Sequence, residues 1–164
     1  MEADILEKLY REHYSAAMLY CLALCGDEQL AQDLTADAFV KAYLSLPDRI
    51  PSFRWWLLRV CKNAWIDHLR RQKGSLGSEP LERFPAPDTP ESILLHRERS
   101  RVLWQAVKTL SPGDQELVVL HYFSGLSLKE IAQLLGVPYT AVRQRMVRLR
   151  QTLKGYMEER GYGL

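Results

Sequence analysis

The chain has 164 residues, 47% of them hydrophobic and 26% charged, a composition typical of a globular protein with one domain or two small ones. A net charge of +2 does not by itself indicate a polyanionic partner, and three cysteines exclude a disulfide framework and fit a reducing compartment. The longest apolar run has ten residues (16–25), about half of the ~20 that a membrane-spanning helix needs, and no signal peptide stands at the start, so we expect a cytoplasmic protein without membrane insertion.

The first predicted element is an amphipathic helix over residues 3–25, with Leu6, Leu9, Ala17, Tyr20 and Leu24 on one side. His13 falls on that side and is therefore predicted to be a packed or hydrogen-bonded core residue. Cys21 and Cys25 could share a metal ion with it, but a fourth ligand is missing, so we expect no metal and no other cofactor.

A second helix is predicted from the N-cap Asp27 to about Leu46. Asp33 and Asp37 lie four residues apart on it, and Lys41 follows after another four. One interpretation is an ordinary ion pair on the helix surface. The other is an acidic and aromatic docking face that also includes Phe39 and Tyr43, and the residues alone support the two equally.

A third predicted helix begins near Phe53 and has two contrasting faces, since residues 53–73 hold six Lys or Arg against one Asp. The core face is predicted to contain Leu58, Cys61, Trp65 and Leu69. The opposite face is predicted to carry Trp56, Arg59, Asn63 and Arg70, with Arg54 and Lys62 near its edges. A tryptophan among cations suits single-stranded nucleic acid. The alternative is that Trp56 packs on a neighbouring loop such as 47–53.

Residues 74–90 carry four prolines and two glycines without periodicity, which predicts a linker over 74–89 between helical modules at 1–73 and 90–164. Thr89 and Pro90 are expected to start a helix with apolar Ile93, Leu94, Val102, Leu103, Ala106 and Leu110. A further helix is expected after Ser111, burying Leu117, Val118, Leu120, Tyr122 and Phe123. No strand pattern occurs, so the predicted fold is all-α.

The segment 125–154 predicts a helix-turn-helix. Ser127 and Glu130 form a capping box, and Gly136 ends a short helix where positive φ is wanted. The second helix has an apolar face of Val142, Met146, Leu149 and Leu153, and an open face of Thr140, Gln144, Arg148 and Gln151 flanked by Arg143, Arg145 and Arg150. Residues 139–154 hold five basic residues and no acid, which favours DNA binding over a plain packing hairpin with a solvated face. The tail 155–164 is predicted to be a fraying helix end.

The sequence has no phosphate-binding glycine loop, no HExxH and no CxxC, and its four histidines are scattered. We therefore expect a binding protein and not an enzyme.

In this order, the patterns resemble those of bacterial RNA polymerase sigma factors of the extracytoplasmic-function group, over about residues 5–158. Residues 33–39 (DLTADAF) look like the family's D-L-x-Q-E/D-x-F segment, with Ala36 in place of the usual Gln. Residues 53–71 resemble its F-x-x-W-L-x-x-I-x-x-N-x-x-x-D-x-x-R segment. Residues 111–153 resemble its −35 reader, which contains E-I-A-x-x-L-G-V-P and V-R-x-R.

The resemblance implies a role for each segment. The first module would dock on core RNA polymerase, at its clamp coiled coil, through Asp33, Asp37, Phe39 and Tyr43, with the flap as a second polymerase contact. It would open and read the single-stranded −10 element through Arg54, Trp56, Arg59, Lys62, Asn63 and Arg70. The second module would read the duplex −35 element through Thr140, Arg143, Gln144, Arg145, Val147 and Arg148. An anti-sigma protein is also implied as a partner.

Two other classes of function remain as alternatives at this point. A stand-alone helix-turn-helix regulator would bind duplex DNA without polymerase, but it gives no reason for a tryptophan on a second basic module. A protein-interaction adaptor would carry basic faces that are merely solvated.

Overall fold

The computed structural model describes residues 2–74 and 98–163, and every regular element within those two ranges is helical, which confirms the all-α prediction. The chain forms two compact units. The N-terminal unit contains α1 (Glu2–Cys25), α2 (Glu28–Leu44) and α3 (Phe53–Gly74). The C-terminal unit contains α4 (Glu98–Lys108), α5 (Pro112–Val118), a π-helical turn (Val119–Phe123), α6 (Leu128–Leu135) and α7 (Tyr139–Glu159).

The predicted linker after Gly74, together with Thr89, Pro90, Ile93 and Leu94, lies outside the described residues. The domain limits 1–73, 74–89 and 90–164 therefore stay predictions. Within the two described ranges, no helix is both long and apolar enough to cross a bilayer.

The N-terminal unit is a three-helix assembly whose core holds fully buried aromatic and aliphatic side chains, among them Tyr14, Met18, Tyr20, Leu57 and Leu58. Asp27 caps α2 as predicted, since its carboxylate accepts a 3.0 Å hydrogen bond from the Leu30 N–H. The helix ends at Leu44, two residues before the predicted end.

Leu69 was expected in this core and is 40% exposed instead. The buried side chains of α3 end at Ala64, among those that the structure describes. The last turns of α3 therefore extend past the core, and helical periodicity alone does not reveal where the neighbouring helices end.

His13 is a packed, hydrogen-bonded histidine, as predicted. Its Nδ1 accepts a 3.2 Å hydrogen bond from Arg54 Nε, and its ring lies 5.4 Å from that of Phe53. Burial and the neighbouring Arg54 cation lower the pKa of His13, so the ring is neutral near pH 7.

The cysteines behave as small core residues. Cys21 and Cys61 are buried, and burial raises the pKa of the Cys25 thiol to about 11. Among the residues that the structure describes, no group of three potential ligands could hold a metal ion.

In the C-terminal unit, α4 buries Val102, Trp104, Ala106 and Val107. Trp104 meets Phe123 edge to face, with ring centroids 5.4 Å apart. Tyr122, which we expected to be buried, is 42% exposed. A π-helical turn explains the difference, because the Ser124 N–H bonds the Val119 carbonyl five residues back and so shifts the register of the helix end.

The helix-turn-helix has the predicted local structure. The Glu130 N–H donates to the Ser127 hydroxyl at 3.1 Å, and the Ser127 N–H donates to the Glu130 carboxylate at 2.9 Å. Gly136 ends α6 with φ of 67°. Val142, Met146, Leu149 and Leu153 of α7 are buried, as predicted.

The C-terminal tail does not fray as expected. Met157 is fully buried, and the N–H groups of Gly161 and Tyr162 bond the carbonyls of Glu158 and Met157, which closes the helix with a left-handed glycine. Arg99 also donates a 3.1 Å hydrogen bond to the Gly163 carbonyl. A short polar segment is thus ordered by backbone caps and one buried methionine.

The two serine N-caps of the C-terminal unit differ in one bond, which gives a matched pair of variants. Ser127→Ala is expected to lower the free energy of unfolding by about 1 kcal/mol, because the Glu130 N–H loses its partner. Ser111 makes no side-chain cap bond, so Ser111→Ala is expected to lower the free energy of unfolding by less than about half of the loss for Ser127→Ala. Urea unfolding followed by circular dichroism compares the two, and equal losses would contradict the capping-box assignment.

Candidate nucleic-acid and docking surfaces

The exposed face of α7 is polar and cationic. Thr140, Gln144, Arg148 and Gln151 are all exposed, on the side opposite the buried residues. Arg143 is exposed at one edge, and Val147 is 53% exposed within the face. Over residues 139–154 the face therefore combines hydroxyl, amide and guanidinium groups, which hydrogen-bond base edges and phosphates, and this stretch contains no carboxylate to repel a polyanion.

Two arginines flanking this face have partners inside the C-terminal unit. Arg145 forms an ion pair with Asp114 near the start of α5, with side-chain exposures of 51% and 23%. Arg150 donates a 3.3 Å hydrogen bond to the Tyr122 hydroxyl. Neither contact could be read from the sequence, because each joins residues about 30 positions apart. Both arginines are thus less available to DNA than Arg143 and Arg148.

On α3, the structure separates the six predicted −10 residues into two groups. Asn63 and Arg70 are exposed, and Arg59 and Lys62 are half-buried like Arg54 and Trp56, from which they differ in their contacts. Arg54 and Trp56 are half-buried at the start of the helix, where Arg54 bonds His13 of α1 and the Trp56 indole N–H donates a 3.2 Å bond to the Ala42 carbonyl of α2.

The expectation that Trp56 faces outward therefore needs correction. Its indole bonds the last turns of α2, so the packing alternative is closer to what is found, although the partner is α2 and not the 47–53 loop. The physical reason is that the Arg54 and Trp56 side chains at the start of α3 reach α1 and α2, the two helices packed beside it.

Trp55 is a candidate that the sequence analysis missed. It is partly exposed, and the Arg59 guanidinium carbon lies 5.7 Å from the centre of its ring. On a helix, Trp55, Arg59 and Asn63 follow at four-residue intervals and share one face. The spacing to Asn63 could not have selected Trp55, because Trp56 lies seven residues before Asn63 and is placed on the same face by the helical period.

On α2, Asp37 and Lys41 form an ion pair at 2.8 Å, which is the surface ion pair of the first interpretation. Asp33 and Tyr43 are half-buried. Phe39 is 2% exposed, its ring centroid 4.7 Å from that of Tyr10 and 6.4 Å from that of Phe53. Phe39 is therefore a core residue and offers no docking surface, because it points between α1 and α3.

The exposed apolar residues of α2 lie elsewhere. Val40 is 39% exposed and Leu44 is 79% exposed. With Asp33 and Asp37 they follow at intervals of four, three and four residues, so the four share one line along the helix. We call this set, Asp33, Asp37, Val40 and Leu44, the α2 stripe. It is acidic at one end and apolar at the other.

Comparisons with known proteins identify the family of the chain. A family model for Sigma-70 region 2 matches residues 9–75, and one for Sigma-70, region 4 matches residues 100–153. The RNA polymerase sigma factor YlaC of Bacillus subtilis is 30% identical, over 94% of this chain and 92% of YlaC.

Two relatives are longer proteins. The ECF RNA polymerase sigma factor SigE of Mycolicibacterium smegmatis is 34% identical over 92% of this chain and 61% of its own length. BldN of Streptomyces coelicolor, also an ECF sigma factor, is 28% identical over 93% of this chain and 60% of its own. The chain therefore spans about three-fifths of each of these two relatives.

Solved structures share the fold. The sigma factor RpoE from Bartonella quintana, in complex with the anti-sigma factor NepR, matches with a TM-score of 0.63 and 17% identity, over 94% of this chain and 97% of that one. CnrH, in complex with the cytosolic domain of CnrY, matches with a TM-score of 0.61 and 24% identity, over 94% of this chain and 88% of the CnrH chain. With both region models matched in order and relatives aligned over nearly its whole length, this chain belongs to the sigma-70 family of RNA polymerase sigma factors, in the extracytoplasmic-function group.

Proposed function

We propose that this protein directs core RNA polymerase to specific promoters and starts DNA-templated transcription there. The observation that carries the proposal is the exposed face of α7, which has no acidic residue over 139–154 and is presented by a capped helix-turn-helix in a chain of the sigma-70 family. The C-terminal unit would read the −35 element and the N-terminal unit would dock on polymerase and open the −10 element.

At the −35 element, α7 would lie in the major groove of the duplex. Thr140, Gln144 and Arg148 are exposed near its N-terminal half, from which recognition helices contact base edges. Arg143 at the edge is suited to phosphates, which position the protein without carrying sequence information. Arg145 keeps its ion pair with Asp114 and would add at most a weaker phosphate contact.

At the −10 element, the face of α3 that carries Trp55, Arg59 and Asn63 would follow the unpaired non-template strand. Arg59, Lys62 and Arg70 supply positive charge, Asn63 supplies an amide, and Trp55 supplies a ring on which a base could stack. Trp56 and Arg54 would hold the start of α3 in place through their bonds to α2 and α1. Selective binding of the unpaired strand would shift the duplex towards its open state.

Docking on core polymerase would use the α2 stripe. Its two carboxylates would contact cationic side chains of polymerase. Val40 and Leu44 would supply the apolar contact that was expected from Phe39. The partners on polymerase are the clamp coiled coil for this unit and the flap as a second contact. By likeness to its family, an anti-sigma protein would hold the chain inactive by covering these surfaces.

Promoter-directed transcription with purified core RNA polymerase tests this proposal. We expect initiation on duplex and fork-junction templates to depend on the protein. Leu44→Ala should weaken binding to core polymerase by about five-fold or more, as for a central apolar interface residue. Ile5→Ala, which removes a 55% exposed apolar side chain from α1, is the matched control and should leave that affinity unchanged.

Two results would count against parts of the proposal. Binding to duplex DNA without any initiation, with a compatible core enzyme, would support a stand-alone regulator instead. Equal losses of core affinity for Leu44→Ala and Ile5→Ala would remove the α2 stripe as the docking surface.

A further inference from the structure

The exposed face of α7 has one apolar side chain at its centre. Thr140, Gln144, Val147 and Gln151 follow at intervals of four, three and four residues, so they form one line along the helix. Three of the four are hydrogen-bonding residues, and Val147 is 53% exposed. Single exposed apolar residues are common on protein surfaces. Val147 needs an explanation because it lies within a line of polar side chains.

Neither packing nor local stability accounts for Val147. More than half of its surface is open, so its own unit does not bury it. A β-branched residue is a weaker helix former than alanine, so it is not there to stabilise α7. A hydrocarbon side chain also has no donor for a phosphate oxygen. What it can offer a ligand is apolar contact.

The major groove of DNA presents one apolar group on its base edges, the C5-methyl of thymine. Gln144 lies three residues before Val147 and can bond adenine through two hydrogen bonds. Three residues advance about 4.5 Å along a helix, against about 3.4 Å per base pair of duplex. The two side chains would therefore reach base pairs one or two steps apart.

We propose that Val147 recognises the methyl group of a thymine in the −35 duplex, within two base pairs of the one read by Gln144. The proposal rests on the proposed function, since it requires α7 to lie in the major groove. It makes Val147 a residue that determines promoter specificity, through a contact that involves no hydrogen bond.

Replacing thymine with deoxyuridine removes this methyl group and nothing else, which allows a direct test. The probe is a promoter duplex selected by the full chain bound to core polymerase from a library randomised across the −35 element. Each thymine of the selected element is then replaced in turn. For wild type, one replacement should weaken binding about four-fold, the factor expected from exposing one buried methyl-sized group.

Val147→Ala should weaken binding to the thymine duplex by a similar factor and should bind the thymine and deoxyuridine duplexes equally. Val137→Ala is the matched control, because it makes the same change at a valine that is 41% exposed in the turn before α7. It should keep the wild-type discrimination. Gln144→Ala should relax the preference at a base pair within two steps of the sensitive thymine.

The Val147 contact would be overturned if Val147→Ala kept the wild-type discrimination at every thymine, or if the selected element required no thymine near the Gln144 position. Circular dichroism checks that the variant is folded, which is expected because the site is exposed and alanine favours a helix. Failure of the proposed function looks different, since the polymerase-bound chain would then select no −35 sequence at all.

Discussion

Replacing Phe39 with alanine is expected to lower the free energy of unfolding by about 3–5 kcal/mol, the range for removing a large side chain from a packed core. Phe39 is 2% exposed and contacts the rings of Tyr10 and Phe53, so its loss leaves a cavity between all three helices of the N-terminal unit. Since small domains are stable by only about 5–15 kcal/mol, a change of this size removes much of the margin.

Urea unfolding, followed by circular dichroism, measures this loss. Phe39→Leu keeps most of the volume and is expected to cost less than about 1.5 kcal/mol. Leu44→Ala changes a side chain that is 79% exposed, so stability should stay within about 0.5 kcal/mol of wild type. Phe39 and Leu44 lie on the same helix, so comparing the two variants distinguishes a residue that stabilises the core from one that docks on polymerase.

The assignment of Phe39 to the core would be contradicted by the following result. If Phe39→Ala kept the wild-type unfolding free energy and lost affinity for core polymerase, Phe39 would be a docking residue after all. Binding is best measured at low temperature with the folded fraction determined in the same samples, because partial unfolding would otherwise imitate a loss of docking.

Replacing Arg148 with alanine is expected to weaken binding to the selected −35 duplex by about 1–3 kcal/mol, or roughly 5- to 140-fold, and to relax the preference at one base pair. Arg148 is exposed on α7, beside the line of Thr140, Gln144, Val147 and Gln151. A guanidinium that bonds guanine through two hydrogen bonds is the commonest specific contact in the major groove.

Arg145→Ala provides the contrast on the same helix. Arg145 is paired with Asp114, and a half-exposed ion pair contributes at most about 1 kcal/mol to stability. We expect Arg145→Ala to weaken binding to all DNA sequences by the same factor, a smaller one than for Arg148→Ala, without changing the preferred bases. Sequence selection from a randomised duplex library compares the two variants. A change in preferred bases for Arg145→Ala, with none for Arg148→Ala, would reverse the roles.

Local sequence signals determined much of this structure. The N-cap Asp27, the capping box of Ser127 and Glu130, and Gly136 acted as predicted, because each involves groups within a few residues of one another. The same holds for the buried face of α7, whose apolar residues repeat with the helical period. The family resemblance was also recognisable from sequence motifs, two of which (33–39 and 53–71) lie within single helices.

What only the tertiary structure decided involves contacts between helices. Phe39, Trp56 and Arg54 looked available on the helix surface, but α1, α2 and α3 pack so that all three residues are engaged. The ion pair of Arg145 with Asp114 and the exposure of Leu69 are decided in the same way. Periodicity tells which residues share a face of a helix, whereas the positions and ends of neighbouring helices determine which part of that face stays open to a partner.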